Sequence, residues 1–338
     1  MSFSLQLLLI FLLAAVLTAA WWRLALYHRW LVPPNARSSH ELPVPSGGGV
    51  GFVVALLLYL VCTGDDVLSG WEGTMALVGA AILALTGLVD DFSNLGIRLR
   101  FGLQIIVIAL LWPFLMQMPA LSISGMVIGG AVLAAFLAVG MLWHINLYNF
   151  MDGIDALAAM QAIFLCSSLP MLVSPPLHAA GSAMLILGAA VCGFLLFNLP
   201  RARLFMGDAG SYFLGYLLPL LALAQVADER VSIWVVLILA GAFVVDSTTT
   251  LLGRFSQGAV WYHPHRTHAY QLLAVRWSSH GSVVAVYAVV NVFWLLPLAW
   301  WAVRQPQFGA LLTLIAWTPL TLLVLWVRRR YAGASAGI

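Results

Sequence analysis

The chain has 338 residues and a formal net charge of +3, and 63% of its residues are hydrophobic while only 8% are charged. Together with a mean hydropathy of +1.00, this composition excludes a soluble globular domain and a disordered chain. It indicates an integral membrane protein with many spans, and we expect no nucleic-acid partner.

Eleven apolar stretches are long enough to cross a bilayer, which takes roughly 20 residues per helix. They lie near residues 4–22, 47–63, 73–89, 101–118, 122–142, 153–173, 179–197, 210–227, 232–252, 282–303 and 308–327. The first stretch has neither a basic segment before it nor a small-residue cleavage site after it, so we interpret it as a retained helix. The predicted fold is an all-α polytopic bundle of about eleven transmembrane helices, forming one domain over residues 1–338.

Arginine alone reports the orientation of the chain, because the sequence contains no lysine. Thirteen of the fifteen arginines fall in the odd-numbered connections or the C-terminal tail, whereas the opposite side holds only Arg230 and Arg304. By the positive-inside rule, the odd-numbered connections face the cytoplasm. The N-terminus is then predicted outside and the C-terminus inside.

Five polar clusters interrupt the apolar pattern, and all of them fall on the predicted cytoplasmic side. They are 35–49, 90–91, 146–155, 198–211 and 263–271. Polar groups cost several kcal/mol each when they are stranded in hydrocarbon, so their shared location has to serve a purpose. We predict that these connections form one active-site cleft open to the cytoplasm.

Five aspartates of these clusters are candidates for chemistry: Asp90, Asp91, Asp152, Asp155 and Asp208. Clustered carboxylates repel one another unless a cation lies among them, and Mg²⁺ suits a site whose remaining ligands are substrate phosphates. The glycine-rich turn at 207–211 predicts a close approach to an anion at a helix N-terminus. Two ordinary alternatives stay open, namely a solvated helix end at 90–91 and an N-cap role for Asp208.

Histidines mark the longest inner connection, where His263, His265 and His268 surround Arg266. We interpret this group as a phosphate-binding cluster, with an ordinary membrane-surface loop as the alternative. Asp246 lies inside the ninth predicted helix, and an acid within a membrane span is functional by default. It could equally hold a neighbouring loop through hydrogen bonds.

Four motifs, in order along the chain, resemble those of the polyprenyl-phosphate N-acetylhexosamine-1-phosphate transferases of glycosyltransferase family 4. They are Val89-Asp90-Asp91, the run NLYNFMDGIDALA at 146–158, FMGDAGS at 205–211, and His265-Arg266-Thr267-His268. The resemblance extends from about Arg37 to Gln271. Within the family, the chain most resembles the undecaprenyl-phosphate N-acetylglucosaminyl 1-phosphate transferases of surface-polysaccharide synthesis.

This resemblance implies a reaction in which undecaprenyl phosphate attacks the β-phosphorus of a UDP-N-acetylhexosamine, giving an undecaprenyl-diphosphate sugar and UMP. It implies Mg²⁺, for which Mn²⁺ could substitute, and a location in the bacterial cytoplasmic (inner) membrane with the site facing the cytoplasm. The partners expected are undecaprenyl phosphate, the UDP-sugar, membrane lipid and a second copy in a homodimer. The reaction would begin O-antigen or other cell-envelope polysaccharide synthesis, with the N-acetylhexosamine left open among N-acetylglucosamine, N-acetylfucosamine and N-acetylquinovosamine.

The resemblance also assigns roles to single residues. By their match to the family motifs, the catalytic residues are Asp90, Asp91, Asp152 and Asp155; the metal ligand is Asp208; and the substrate-binding residues are Asn146, Asn149, Asn198, Phe205, His265, Arg266 and His268. Asp90 would orient or deprotonate the lipid phosphate, and Phe205 would stack on the uracil. The chain departs from the family where a lysine usually follows the aspartate pair, since Arg98 and Arg100 are the only cations there.

Two other classes compete with a transferase. A secondary transporter would couple ion movement to substrate passage through acids near the bilayer midplane and through broken helices in two related halves. The predicted acids gather instead at one interface, with Asp246 as the exception. A CDP-alcohol phosphotransferase would place its acids at helical spacing in a single segment, which this sequence does not show.

Overall fold

The computed structural model describes residues 2–32, 43–63, 70–123, 126–173, 179–258 and 266–331, and within these ranges the chain is predominantly helical. Fifteen α-helices are present in the described part: α1 (Phe3–Tyr27), α2 (Gly49–Thr63), α3 (Gly70–Ser93), α4 (Ile97–Leu110), α5 (Trp112–Leu115), α6 (Gly130–Met151), α7 (Leu157–Leu172), α8 (Ala179–Asn198), α9 (Gly207–Ala227), α10 (Ile233–Leu239), α11 (Gly241–Ser256), α12 (Ala269–Trp277), α13 (His280–Val290), α14 (Leu296–Arg304) and α15 (Gly309–Tyr331). A π-helical turn, Asn291–Leu295, joins α13 to α14. Two small antiparallel hairpins pair β1 (Leu31–Val32) with β2 (Val44–Pro45) and β3 (Leu121–Ile123) with β4 (Met126–Ile128).

The predicted class, an all-α polytopic membrane protein, is confirmed, but the count of eleven spans is not. Seven of the described helical segments are long and apolar enough to cross a membrane, or eight if the bent pair α10 and α11 is one span. Two further apolar helices, 49–62 and α7, are shorter. The predicted span 101–118 is divided between α4 and the single turn α5, because the helix breaks at Leu111 before Pro113.

The largest shift concerns the fifth predicted helix, expected at 122–142 and found at 130–151. Strands β3 and β4 occupy its expected start, and Gly130 begins the helix with a left-handed φ of +54°. At the other end the helix continues through Asn146 and Asn149, because the side-chain amide of each donates to a side chain of another helix. The polar run 146–151 therefore lies on the last turns of α6 and not in a loop after it.

A sharp bend replaces the straight ninth helix predicted over 232–252. Helices α10 and α11 meet at an angle of 74°. The indole N–H of Trp317 donates to the carbonyl of Leu237, 3.1 Å away, and so occupies the acceptor that the amide of Gly241 would use in a continuous helix. A side chain inserted into the backbone ladder is a recognised cause of such kinks.

Helix α9 forms the centre of the bundle and is buried along nearly all of its length. It packs mainly against α3 and α6, while α1 packs against α8 and α2. Small residues allow the closest approaches: a Cβ atom on Gly87 of α3 would clash with the carbonyl of Asp208 on α9. This packing brings the C-terminal ends of α3, α6 and α8 to the N-terminal end of α9, and all the acidic motifs lie there.

Candidate active site

A cavity of about 260 Å³ opens where these helix ends meet. Its wall is formed by Val32, Ser46, Asp91, Asn149, Asp152, Gly153, Ile154, Asp155, Asn198, Phe205, Met206, Gly207, Asp208 and His280. Seven of the twelve predicted site residues are in this wall, and they come from three of the five polar clusters, 90–91, 146–155 and 198–211. With Ser46 of the 35–49 cluster, four of the five clusters contribute to this wall, whereas no described residue of the 263–271 cluster does.

Asp91 closes the N-terminus of α9. Its Oδ1 accepts the backbone N–H of Asp208 at 3.0 Å, and its Oδ2 accepts that of Ala209 at 3.4 Å. Gly207 makes this possible, because its φ is +75° and a Cβ atom there would lie 2.5 Å from Asp91 Oδ2. The glycine-rich sequence of this turn predicts free N–H groups for an anion, and that prediction is wrong for these two amides, which a carboxylate of the protein occupies.

Asp208 lies in the first turn of α9, with Met206 as the N-cap. The side-chain amide of Asn149 donates to Asp208 Oδ1 at 2.6 Å and to the Ser211 hydroxyl at 3.0 Å. The alternative that Asp208 is itself the N-cap is therefore wrong. Asn149 fixes the orientation of this carboxylate from the facing helix α6.

Asp152 follows the last residue of α6 and begins the turn that leads to α7. Part of the residue faces the cavity, but the surrounding protein desolvates its carboxyl group and raises its pKa well above the ordinary value. The nearby carboxylates of Asp208, Asp91 and Asp155 raise this pKa further, in that order. In the absence of a cation, the site therefore disfavours a full set of negative charges.

Asp155 is buried at the other end of the same turn. Its Oδ2 accepts the backbone N–H of Ala202 at 3.0 Å and lies 3.1 Å from Nδ1 of His280. His280 is the first residue of α13 and lines the cavity. The carboxylate thus joins the turn to the 199–206 loop and to a helix more than 120 residues further along the chain.

Asn198 connects, through its side-chain hydrogen bonds, the two loops that form the cavity. Its side-chain oxygen accepts the backbone N–H of Ala156 at 2.9 Å, and its side-chain nitrogen donates to the carbonyl of Leu204 at 3.0 Å. Ala156 needs this support, because its φ of +64° is left-handed. Both polar side-chain atoms of Asn198, which was predicted to bind substrate, are therefore engaged by the backbone.

Replacing Asn198 with alanine is expected to lower the free energy of unfolding by about 2–4 kcal/mol, because each buried backbone group left without a partner costs about 1–3 kcal/mol. The melting temperature in detergent should fall by about 3–8 °C. Gln257→Ala, at an exposed position after α11 where φ is −90°, is the control. Equal melting temperatures for the two variants would contradict the bracing role.

Asp90 and Asn146 lie outside the cavity wall. Asp90 is buried and receives three hydrogen bonds, from the Leu95 backbone at 2.7 Å, from Arg100 Nη1 at 2.8 Å and from the Tyr212 hydroxyl at 3.2 Å. Asn146 donates to the side chain of Gln104 on α4 at 2.8 Å. These contacts make Asp90 the partner of Arg100, and its side chain also lies beside that of Asp208.

The histidine segment is placed differently from its prediction. His263 and His265 lie outside the described residues. His268 is buried at the N-terminus of α12, with Nδ1 3.7 Å from Asp246 Oδ1, and neither it nor Arg266 is in the cavity wall. The interpretation of His268 as part of a phosphate cluster is not supported by this position, because Phe150 and Tyr270 cover its ring.

Two polar side chains of the cavity wall were not selected from the sequence, namely those of Ser46 and His280. Ser46 belongs to a glycine-rich segment whose backbone hydrogen-bonds to residues 205–206. For example, the N–H of Gly48 donates to the carbonyl of Phe205 at 2.8 Å. The glycines at 47–49 were a usable signal for Ser46. Only a histidine at the start of an apolar stretch marked His280.

Comparison with known proteins places these motifs in a family. The model described as glycosyl transferase family 4 matches residues 74–226. The chain belongs to this family. The region matched contains Asp90, Asp91, the 146–155 run and Asp208, and it ends before Asp246 and the histidine segment.

Curated relatives include members with different names. A probable undecaprenyl-phosphate N-acetylglucosaminyl 1-phosphate transferase of Bacillus subtilis is 27% identical over 267 residues, covering 77% of this chain and 74% of the relative. A phospho-N-acetylmuramoyl-pentapeptide-transferase of Deinococcus radiodurans is 32% identical over 220 residues, covering 54% and 66%. A decaprenyl-phosphate N-acetylglucosaminephosphotransferase of Mycobacterium tuberculosis is 28% identical over 291 residues, covering 75% and 71%.

Proposed function

We propose that this family 4 protein transfers an N-acetylhexosamine 1-phosphate from a UDP-sugar to undecaprenyl phosphate, releasing UMP. The observation that carries the proposal is a single cavity at the ends of membrane-spanning helices, where the carboxylates of Asp91, Asp152, Asp155 and Asp208 meet. Two of the three relatives described above are named for polyprenyl-phosphate acceptors. The product, a lipid-linked sugar, would begin the synthesis of O-antigen or another cell-envelope polysaccharide.

The site's carboxylates fit a magnesium ion that is bound jointly with a phosphorylated substrate. Among the described residues, no three His, Cys, Asp or Glu side chains form a ready-made metal cage. Mg²⁺ does not require one, because it commonly takes one or two carboxylates, keeps water molecules and completes its shell with substrate phosphates. Asp208 would hold the ion, together with Asp152 in the same cavity wall. When bound, Mg²⁺ supplies charge neutralisation at the diphosphate.

The reaction mainly requires the protein to position the reacting groups and to stabilise the charge on the transferring phosphate. A lipid phosphate oxygen forms a bond to the β-phosphorus, and the bond from that phosphorus to the bridging oxygen breaks, so that the oxygen leaves with UMP. Asn149 orients Asp208, and Asp155 is fixed by Ala202 and His280. Asp90 would act on the lipid phosphate together with Arg100, whose side chain keeps 30% of its surface exposed.

The membrane position of the cavity suits a lipid acceptor and a soluble donor. The cavity lies at the helix ends that carry Arg98, Arg201 and Arg254, which the positive-inside rule assigns to the cytoplasm. Undecaprenyl phosphate would approach within the inner leaflet, and the nucleotide sugar would enter from the cytoplasm. We propose the bacterial cytoplasmic membrane as the location on this basis.

A donor panel tests the proposal. The purified protein should be incubated with undecaprenyl phosphate, Mg²⁺ and each of several UDP-N-acetylhexosamines, with UDP-N-acetylmuramoyl-pentapeptide included because some relatives are named for that substrate. We expect lipid-linked sugar and equimolar UMP from one N-acetylhexosamine donor. Product from the pentapeptide donor alone would replace the proposed donor, and product from none would overturn the proposal.

The transporter alternative rests on one observation, the 74° break between α10 and α11. The intramembrane acid beyond this break, Asp246, accepts four hydrogen bonds from α11, α12 and α13. An acid that couples ion movement has to exchange partners during transport. The engaged state of Asp246 therefore favours the transferase.

Adding Mg²⁺ to the metal-free protein should raise its melting temperature, and the rise should be larger at neutral than at acid pH. The pKa of Asp152 is raised in the folded state, so the folded protein binds more protons than the unfolded chain between the ordinary pKa of about 4 and the raised value. Its stability therefore falls as the pH rises through that window. A cation favours the carboxylate and offsets this loss.

The measurement is the melting temperature in EDTA and in Mg²⁺ at pH 5 and pH 7.5. We expect the larger Mg²⁺-dependent rise at pH 7.5 and its loss in Asp208→Asn. A rise of equal size in Asp208→Asn would place the cation elsewhere.

A further inference from the structure

The buried carboxylate of Asp246 connects three helices beside the cavity. On α11 it receives the hydroxyl of Thr250 at 3.2 Å. From α12 it receives the backbone N–H groups of Ala269 at 2.9 Å and Tyr270 at 3.1 Å, and from α13 the hydroxyl of Tyr287 at 2.6 Å. The first two amides of a helix have no partner within it, and a carboxylate placed there is favoured by the helix dipole as well. Asp246 thus fastens both later helices to α11.

Two series of contacts, here called the first and second arms, start at this carboxylate. The first arm leads to the turn that carries Asp152. Tyr270, fully buried on α12, donates its hydroxyl to the carbonyl of Phe150 at 2.7 Å. Any side chain on Gly153 would clash with the same hydroxyl. The ring of His268 stacks on Phe150, with ring centroids 6.2 Å apart, and also on Tyr270. Tyr270 therefore holds the end of α6 on both sides of Asp152.

A second arm leads to Asp155. Tyr287 and His280 are both on α13, seven residues apart and therefore about two helical turns. The Tyr287 hydroxyl fixes the helix on Asp246, and His280 at its N-terminal end reaches the carboxylate of Asp155 at 3.1 Å. Both catalytic carboxylates of the 152–155 turn are thus supported from one buried acid.

We infer that Asp246, acting through Tyr270 and Tyr287, is a positioning residue that sets the geometry of the 150–155 turn for the proposed transfer reaction. This inference rests on the proposed function. It also explains why an acid stands within a membrane span: the alternative in which Asp246 holds neighbouring segments is the one that the contacts support. None of these three residues lies in the region matched by the family model.

Tyr270→Phe tests the first arm with the smallest possible change. It removes the bond to Phe150 and leaves the ring in place. We expect hydrogen–deuterium exchange of the 150–156 amides to become about 5-fold faster, which corresponds to the loss of about one buried hydrogen bond. We expect kcat to fall about 10- to 100-fold with the KM for the donor within about 3-fold, because misplaced reacting groups mainly affect the transition state.

Tyr216→Phe is the matched control. Tyr216 is also a fully buried tyrosine, on α9, and its hydroxyl has no hydrogen-bond partner among the described residues. Its removal should leave both exchange at 150–156 and kcat at the wild-type values. Asp246→Asn should exceed the effect of Tyr270→Phe in both measurements, since it weakens both arms, while exchange in α1 and α8 reports whether the rest of the bundle stays folded.

The outcomes separate this inference from the proposed function. Unchanged hydrogen–deuterium exchange at 150–156 in Tyr270→Phe would show that Tyr270 does not hold the turn. Faster exchange with wild-type kcat would overturn the positioning role. If the wild-type protein makes no product with any donor, the proposed function fails and the positioning role fails with it, whereas the exchange result still decides whether Tyr270 holds the turn.

Discussion

Asp208→Asn is expected to reduce formation of lipid-linked sugar about 10³-fold. The carboxylate that would hold Mg²⁺ becomes a neutral amide, and the charge that it contributes at the transferring phosphate is lost. Asparagine has the same shape and keeps an oxygen that can accept the bond from Asn149, so the fold should persist. Initial rates at saturating Mg²⁺, donor and undecaprenyl phosphate provide the measurement.

Asp228→Asn is the matched control for this variant. Asp228 is the C-cap of the same helix, α9, but it is exposed at the opposite end of the bundle from the cavity. It should keep wild-type activity. An Asp208→Asn protein that is folded and retains more than about a tenth of the wild-type rate would remove Asp208 from the metal-binding role.

Asp152→Asn should have opposite effects on activity and on stability. Removing a buried carboxylate beside Asp208, Asp91 and Asp155 relieves like-charge repulsion, so the metal-free protein should melt at a higher temperature at pH 7.5. The same change removes a charge on which the reaction depends, and the rate should fall at least about 100-fold. Functional sites commonly combine such a gain in stability with a loss of activity.

Asp155→Asn is the comparison variant, and for it we expect the opposite change in melting temperature. The carboxylate of Asp155 is already bound by the Ala202 backbone and His280, so its neutral replacement should lower the melting temperature. Both variants should lose activity, but only Asp152→Asn should gain stability. A lower melting temperature for Asp152→Asn in EDTA would contradict the electrostatic description of the cavity.

The sequence predicts well those features that depend on local composition. The seventh predicted helix, 179–197, is found as α8 at Ala179–Asn198, because an uninterrupted apolar run has only one way to satisfy its backbone in a membrane. The same reasoning placed all the polar clusters on one side, and seven of their selected residues share a cavity. Their catalytic, binding and metal-binding roles stay predictions until variants are assayed.

Features that depend on distant partners could not be read from the sequence. The α10–α11 bend depends on Trp317, 80 residues after the carbonyl that it binds. Asn149 belongs to a helix instead of a loop because Asp208 and Ser211 satisfy its amide. His268 turns away from the cavity because Asp246 occupies the helix end beside it. In each case a side chain from another segment changes what the local pattern predicts.

The most direct test of the proposed function follows two labels from one donor. The UDP-N-acetylhexosamine found in the donor panel is prepared with ³²P in the β-phosphate and ³H in the sugar, and both labels are measured in the lipid extract. Sugar 1-phosphate transfer predicts equal molar amounts of both labels in the lipid, with unlabelled UMP released and no product in EDTA. Tritium in the lipid while the ³²P remains in released UDP would show ordinary sugar transfer and would contradict the proposed reaction.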